Sequence, residues 1–264
     1  MPGANATRFF VDVRLLRRAG LLDAFSPGRL GEDPEYQRFV RETHFDYRRD
    51  LDTLGGSLAG GDASFVLRGR FDRDQLWKYA AGRGGTCSGE WCRMPAVTLG
   101  RSVSIALPQP DLLALDVGAK PSNPSARFDS KAGPRSPSPS ADPVWIDVSR
   151  QVLNNPAELP LPLQILAISL QSATPVVLSL GGANRPGAFL LNMDAQFPNR
   201  AAADTARRQL ELETRSLTLA LARQNHPSDP RDFTGLLASG TFQVADRHTL
   251  GHWLVLPELL RALQ

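Results

Sequence analysis

The sequence predicts an α+β fold built from two related halves, each a mostly antiparallel sheet with helices on one face. Three observations carry this expectation. The chain has 264 residues, enough for one large domain or two small ones, and is 42% hydrophobic and 22% charged, close to a globular average. Short strand-like runs and amphipathic helical runs follow each other twice along the chain, and each half closes on paired strands. Residues 118–143 separate the halves and are rich in Pro and Ser with one aromatic, so they lack the apolar surface to order a core of their own. The expected organisation is a first repeat over residues 1–117, a semi-extended linker over 118–143 and a second repeat over 144–264.

In the first half, residues 8–13 (RFFVDV) read as a buried strand. Residues 15–25 read as a helix stopped by Ser26, Pro27 and Gly28. Asp33 and Pro34 open another helix to about His44, with proline at the first turn, where its missing N–H has no helical partner to lose. Gly55, Gly56, Gly60 and Gly61 mark a flexible loop, and residues 63–71 a strand. Asp72 is placed to cap a helix over 73–81. A hairpin around Cys87 and Cys92 follows, then strands over 102–107 and 111–117 joined by Pro108, Gln109 and Pro110.

The second half opens with a strand over 144–148, then a helix over 161–172. A strand over 174–180 begins at Pro175, which suits an edge position because proline cannot donate to a ladder. Residues 181–187 form a turn, 188–197 a strand, and Asn199 caps the longest helix, from 200 to about 224. Ala203, Ala206, Leu210, Leu217 and Leu221 give that helix its apolar stripe. Pro227 and Pro230 bound a turn, 232–239 is a short helix, and strands over 241–245 and 249–256 form a hairpin around Asp246, Arg247 and His248. Pro257 starts a terminal helix over 258–263. Phe10–Val13 parallels Trp145–Val148, and Ser64–Leu67 parallels Ala188–Leu191, so the halves read as a degenerate duplication of a β-α-β-α-β-β unit with loop insertions.

The formal charge is +3, the pI is about 9.2, and three lysines stand against 27 arginines. A basic pI invites a nucleic-acid reading. The basic residues are interspersed with 27 acidic ones, and the tightest groups (Arg14, Arg17 and Arg18; Arg48 and Arg49; Arg207 and Arg208) lie largely on the polar faces of expected helices, so no nucleic-acid partner is expected. No run of 18 apolar residues exists, so no transmembrane helix is expected. The N-terminus shows no apolar signal-peptide region.

Candidate sites are few. Cys87 and Cys92 flank Ser88-Gly89-Glu90-Trp91; a hairpin with this loop places them opposite each other, within reach of a disulfide, the alternative being two reduced thiols in a reducing cytoplasm. Trp91, at the turn, is a candidate surface contact. His248 and His252 have helical metal-ligand spacing, but on a strand four residues span about 13 Å, too far for one zinc, so no metal site is expected. Gly55-Gly56-Ser57-Leu58-Ala59 superficially matches a nucleophile elbow but lacks the strand–turn–helix setting. Asp46, Asp50 and Asp52 alternate with Arg48 and Arg49, a pattern that forms local salt bridges more often than acid–base pairs. No cofactor motif is present, so no cofactor is expected.

The segments 41–52 (RETHFDYRRDLD), 68–72 (RGRFD), 143–146 (PVWI), 240–242 (GTF) and 251–253 (GHW) resemble a family of uncharacterised bacterial proteins, frequent in acidobacterial genomes and usually expected to be exported or lipid-anchored. The resemblance implies a two-repeat α+β fold, an extracytoplasmic location (periplasm or cell surface) and no known catalytic residues. The lack of a signal peptide keeps a cytoplasmic location as the alternative. The expected function is a non-catalytic extracytoplasmic binding or protein-interaction module for a protein or small-molecule ligand, with a groove between the halves. The alternatives are a hydrolase using carboxylates near residues 46–52 and a basic nucleic-acid-binding protein.

Overall fold

The computed structural model describes residues 5–22, 31, 33–120, 122–126, 138–158, 161–183, 188–223, 232–256 and 258–259. The expected stop at Ser26–Gly28, residues 184–187 of the expected 181–187 turn, linker residues 127–137, the Pro227–Pro230 turn and the end of the terminal helix lie outside them. The fold is α+β, with antiparallel sheets, and the chain divides into two compact units: Phe9–Ser138, and Met1–Arg8 with Pro139–Gln264.

β1 (Thr7–Asp12), which belongs to the Phe9–Ser138 unit from Phe9 onward, runs into α1 (Val13–Arg18), capped by the Asp12 carboxylate accepting from the Leu15 N–H at 2.8 Å. The expected longer helix stops here because the chain turns at Gly20, whose φ of +69° suits glycine. α2 (Pro34–Thr43) starts on Asp33, which accepts from the Glu35 and Tyr36 N–H groups, and ends at a left-handed His44. A single turn, α3 (Tyr47–Asp50), leads into β2 (Leu51–Ala59) and β3 (Asp62–Gly69).

β2 corrects the expectation of a glycine loop. Gly55 and Gly56 lie inside the strand, and only Gly60 and Gly61, at φ +56° and +82°, make the turn. A Cβ on Gly56 would come within 2.5 Å of the Phe9 ring and 3.0 Å of the Ser64 carbonyl, so glycine here lets an aromatic ring cross the strand. Ser57 pairs with Ser64 in mid-strand, far from the strand–turn–helix corner that a nucleophile elbow needs.

α4 (Arg73–Gly82), capped by Asp72 as expected, precedes β4 (Thr86–Ser88), β5 (Trp91–Pro95), β6 (Ser102–Gln109) and β7 (Leu112–Gly118). The strands lie in the order β1-β2-β3-β7-β6-β5-β4. Leu76 and Ala80 of α4 pack on Cys92, Ile105 and Leu113 from one face. The other face is also closed: Ser104, Ala106, Ala114 and Asp116 are all buried. Asp116 accepts from the Ser122 hydroxyl at 2.8 Å, and Pro124 and Ser125 are buried, so the first described residues of the Pro/Ser-rich segment are packed into this unit.

The second unit contains β8 (Val144–Val148), α5 (Arg150–Asn154), a 3₁₀ turn (Pro156–Glu158), α6 (Leu161–Leu170), β9 (Val176–Gly182), β10 (Phe189–Gln196), α7 (Arg200–Arg223), α8 (Phe233–Ala238), β11 (Thr241–Ala245) and β12 (His248–Val255). Strand order is β11-β12-β10-β9-β8. β9 pairs with both β8 and β10, so Pro175 precedes an interior strand and is not the edge residue expected. Asn199 caps α7, accepting from the Ala202 N–H, and Ala203, Ala206, Leu210 and Thr214 form its buried stripe. The β11–β12 turn is shorter than expected, two residues, with Asp246 at φ +54°.

Taken separately, the units share a connectivity. In each, one strand and its helices lead to a hairpin, a further helix and a final antiparallel pair, and the last strand inserts beside the third. The Phe9–Ser138 unit inserts the β4–β5 hairpin between α4 and the final pair, where it extends the sheet edge beyond β6.

Candidate functional site

Cys87 and Cys92 face each other in register across β4 and β5 and form a disulfide. Cys87 is exposed, whereas Cys92 is fully buried in the α4 core. Trp91 is half-buried, in register with Ala106 on the face away from α4.

The acid–arginine run at 46–52 is a set of internal braces. Asp46 caps α3 through the Arg48 N–H at 3.0 Å and accepts from the Tyr36 hydroxyl at 2.9 Å. Burial, reinforced by donation to this carboxylate, pushes the Tyr36 hydroxyl well above its ordinary pKa. Asp50 accepts from Arg49 Nη2 and Arg70 Nη2, each at 2.9 Å, and from the Asp46 N–H at 2.9 Å. Burial alone raises the Asp50 pKa. The two guanidinium groups and the backbone N–H outweigh it and hold the carboxyl at about 2. A general acid needs the opposite shift. Asp52 lies 3.9 Å from Arg17.

The arginines are similarly matched: Arg8, Arg38, Arg68, Arg83, Arg101, Arg207 and Arg208 each lie within 4 Å of a carboxylate. His44, which caps α2, and the exposed Arg70 line a shallow depression of about 530 Å³ with Phe71 and Asp72.

The two histidines singled out by their spacing lie on β12, on the same face. Along that strand Thr249, Gly251, Trp253 and Val255 are buried, whereas His248, Leu250 and His252 are half-buried and Leu254 is exposed. The buried set faces the helices, and the Thr249 hydroxyl donates to the Ala203 carbonyl of α7 at 2.8 Å. The other set shares a face with Asn192, Asp194 and Gln196 of β10, Ser179 of β9, Trp145 of β8, and Thr241 and Gln243 of β11.

This face carries a connected polar row. Asp142, just before β8, accepts from Ser179 Oγ at 2.5 Å and from Asn192 Nδ2 at 3.3 Å. With its Nδ2 committed to a carboxylate, Asn192 presents Oδ1 to His252 Nδ1 at 2.9 Å, which places the ring proton on Nδ1. His252 Nε2 then accepts from Gln243 Nε2 at 3.4 Å. Beside this row, His248 Nδ1 bonds Asp194 Oδ1 at 2.7 Å. Arg247 donates from Nη2 and Nε to the Gln196 amide oxygen at 2.7 and 3.0 Å. At β8, Asp147 accepts from Arg8, and Ser149 pairs with Thr7.

Among the described residues, no group of three or more His, Cys, Asp or Glu side chains could hold a metal ion, and no helix is long and apolar enough to cross a membrane. The row itself escaped the sequence reading. Its members come from five segments, and only strand register makes neighbours of them. The available signal was alternation: His248, Leu250, His252 and Leu254 against Thr249, Gly251, Trp253 and Val255.

No protein-family model matches the chain, and no curated protein matches it. Solved structures of TP0453 align over 99% of this chain at 12% identity: crystal form I over 93% of that chain with a TM-score of 0.48, form III over 94% with 0.48, and form IV over 92% with 0.50. At this identity the likeness, carried by form IV, is one of fold alone.

Proposed function

We propose that the protein is a non-catalytic, extracytoplasmic binding module related to the exported or lipid-anchored bacterial proteins its sequence resembles. The observation that carries this reading is the polar row on the β8–β12 sheet, in which Ser179 is buried and Asn192, His252 and Gln243 are half-buried or exposed. Five side chains from five segments are fixed by one another, so the face offers hydrogen-bonding groups already held in place, the condition under which binding costs least ordering entropy. The Cys87–Cys92 disulfide supports an oxidising compartment.

A thermal-shift screen of the full chain against peptides, oligosaccharides and nucleotides tests the reading, run beside the triple variant Asn192→Leu, Gln243→Leu, His252→Leu. A ligand class that raises the wild-type Tm and leaves the variant unmoved is the expected result. Stabilisation that persists in the variant, or none in either, overturns it. Alkylation trapping in the producing cell reports the compartment: both thiols are expected to be protected until reductant is added.

A further inference from the structure

We infer that β11 is the contact edge of a two-fold dimer, in which it pairs antiparallel with β11 of a second copy of this chain. The inference stands apart from the binding-module reading above. β11 ends the strand order of its unit, and among the described residues it pairs with β12 alone. The two-residue turn fixes which backbone groups that pairing uses. Ala245 and His248 flank the turn as a hydrogen-bonded pair, so Thr241, Gln243 and Ala245 direct their N–H and C=O groups at β12. The Phe197 N–H donating to the Arg247 carbonyl, across the next gap, has the same phase. Phe242 and Val244 therefore direct their N–H and C=O groups away from the sheet. Sheets blunt such an edge with a very short strand, a lysine, a proline or a bulge. The Phe9–Ser138 unit does so: its terminal strand β4 has three residues and is tied down by the disulfide. β11 has five residues, Thr-Phe-Gln-Val-Ala, with no charge, no proline and no bulge.

The strand's own sequence is the complement of this edge. With the two-fold axis beside Gln243, Phe242 meets Val244 of the second copy, and Val244 meets Phe242 of the second copy. Each of these pairs can exchange two N–H···O bonds, and each sets an aromatic ring against a β-branched side chain, a favourable cross-strand pair. Both side chains are half-buried on the helix side, where Phe242 packs edge-to-face on Trp253, so apolar joins apolar. On the other face the exposed Gln243 meets Gln243 of the second copy. After its contact with His252 each carboxamide keeps one N–H and its Oε1, so the donor of one matches the acceptor of the other. A foreign peptide could bond the same edge, but it would have to be ordered on binding. Two β11 strands are each held in place by β12 beforehand, which spares that cost. An isologous contact also closes at two copies and leaves no edge here to propagate. A strand pair about 17 Å long is smaller than the roughly 1,200 Å² of a standard interface, so the dimer forms reversibly and at high concentration.

The test is analytical ultracentrifugation of the full chain from roughly 10 to 500 μM, with residue-resolved amide hydrogen exchange at both ends of that range. The dimer fraction is expected to rise with concentration, and protection of the Phe242 and Val244 amides to rise with it by about threefold or more, while the Thr241, Gln243 and Ala245 amides stay as they were. Gln243→Glu and Gln243→Lys each set like charges face to face across the axis, and each alone is expected to stay monomeric at wild-type Tm, whereas their equimolar mixture associates again. Should either variant unfold, the wild-type exchange pattern still decides. A monomer at every concentration overturns the proposal, as does a dimer indifferent to both charges or a mixture that fails to associate. Phe242 and Val244 amides protected to the same degree at every concentration overturn it as well. Protection gained only on adding an uncharged decapeptide gives the edge to a foreign strand and removes the dimer.

Discussion

β7 and β12 each insert beside the third strand of their unit, yet their two faces have different fates. On β7, Leu112, Leu113, Ala114, Asp116 and Gly118 are buried, and side chains of both parities are enclosed. On β12 burial alternates residue by residue, with the helix side closed and the histidine side accessible. Shared connectivity therefore does not fix how many faces a sheet hides. In the first unit even polar residues such as Ser104 and Asp116 are taken inside, whereas in the second Asn192, His252 and Gln243 are left half-buried or exposed, with only Ser179 of their row enclosed.

The sharpest way to break this contrast is to place the same charge in both sheets. Ala114→Asp puts a carboxylate at a fully buried site and is expected to cost at least about 3 kcal/mol, whereas Gln243→Asp on the open face should stay within about 0.5 kcal/mol. Urea midpoints of the two variants decide the matter; equal losses would mean that the β11–β12 face is not open.

Next in size is the disulfide. Reducing Cys87–Cys92, which closes a short loop, should cost about 2 kcal/mol and loosen β4 first. Hydrogen exchange at Thr86 and Ser88 is the readout, and unchanged protection there would show that the α4 packing alone holds the hairpin.

Asp50 gives a third, pH-dependent handle on the enclosed unit. Its folded-state pKa of about 2 lies below the ordinary 3.8, so the stabilisation is present above pH 3.8 and disappears as pH falls through about 2. Both arginine partners are mostly exposed, which discounts the contribution to about 1–2 kcal/mol. Asp50→Asn should lose that amount at pH 7 and match the wild type near pH 1.5. A constant difference across the range would assign the effect to packing.

The smallest expected effect is at Gln243→Ala, below about 0.5 kcal/mol, because its contact with His252 is long and exposed. A larger loss in a thermal melt would make the polar row a structural brace.

Much of the architecture was legible in the sequence because it rests on local chemistry. Asp33, Asp72 and Asn199 cap helices where short polar side chains precede helical periodicity, and the α7 stripe follows from 3.6-residue spacing. The cysteine pairing was legible as one of two alternatives, since a short hairpin sets the sulfurs facing. β2 was hidden because two glycines read as a breaker when their real constraint is Phe9, a neighbour in space. α3 and α5 are too short to show a period. The acidic run was read correctly as salt bridging, but Arg70 and Tyr36, which complete it, sit 20 and 10 residues from their carboxylates.

The two-residue turn at Asp246 and Arg247 carries a consequence for how this molecule can change. It locks Ala245 opposite His248, and every later pairing in the hairpin inherits that register. Adding a single residue to β12 after His248 would send His252 toward the helices and Trp253 toward water, because strand side chains alternate. Surface turns usually tolerate insertions. Here the side-chain chemistry of the open face could be rewritten one residue at a time, while the length of the hairpin could not.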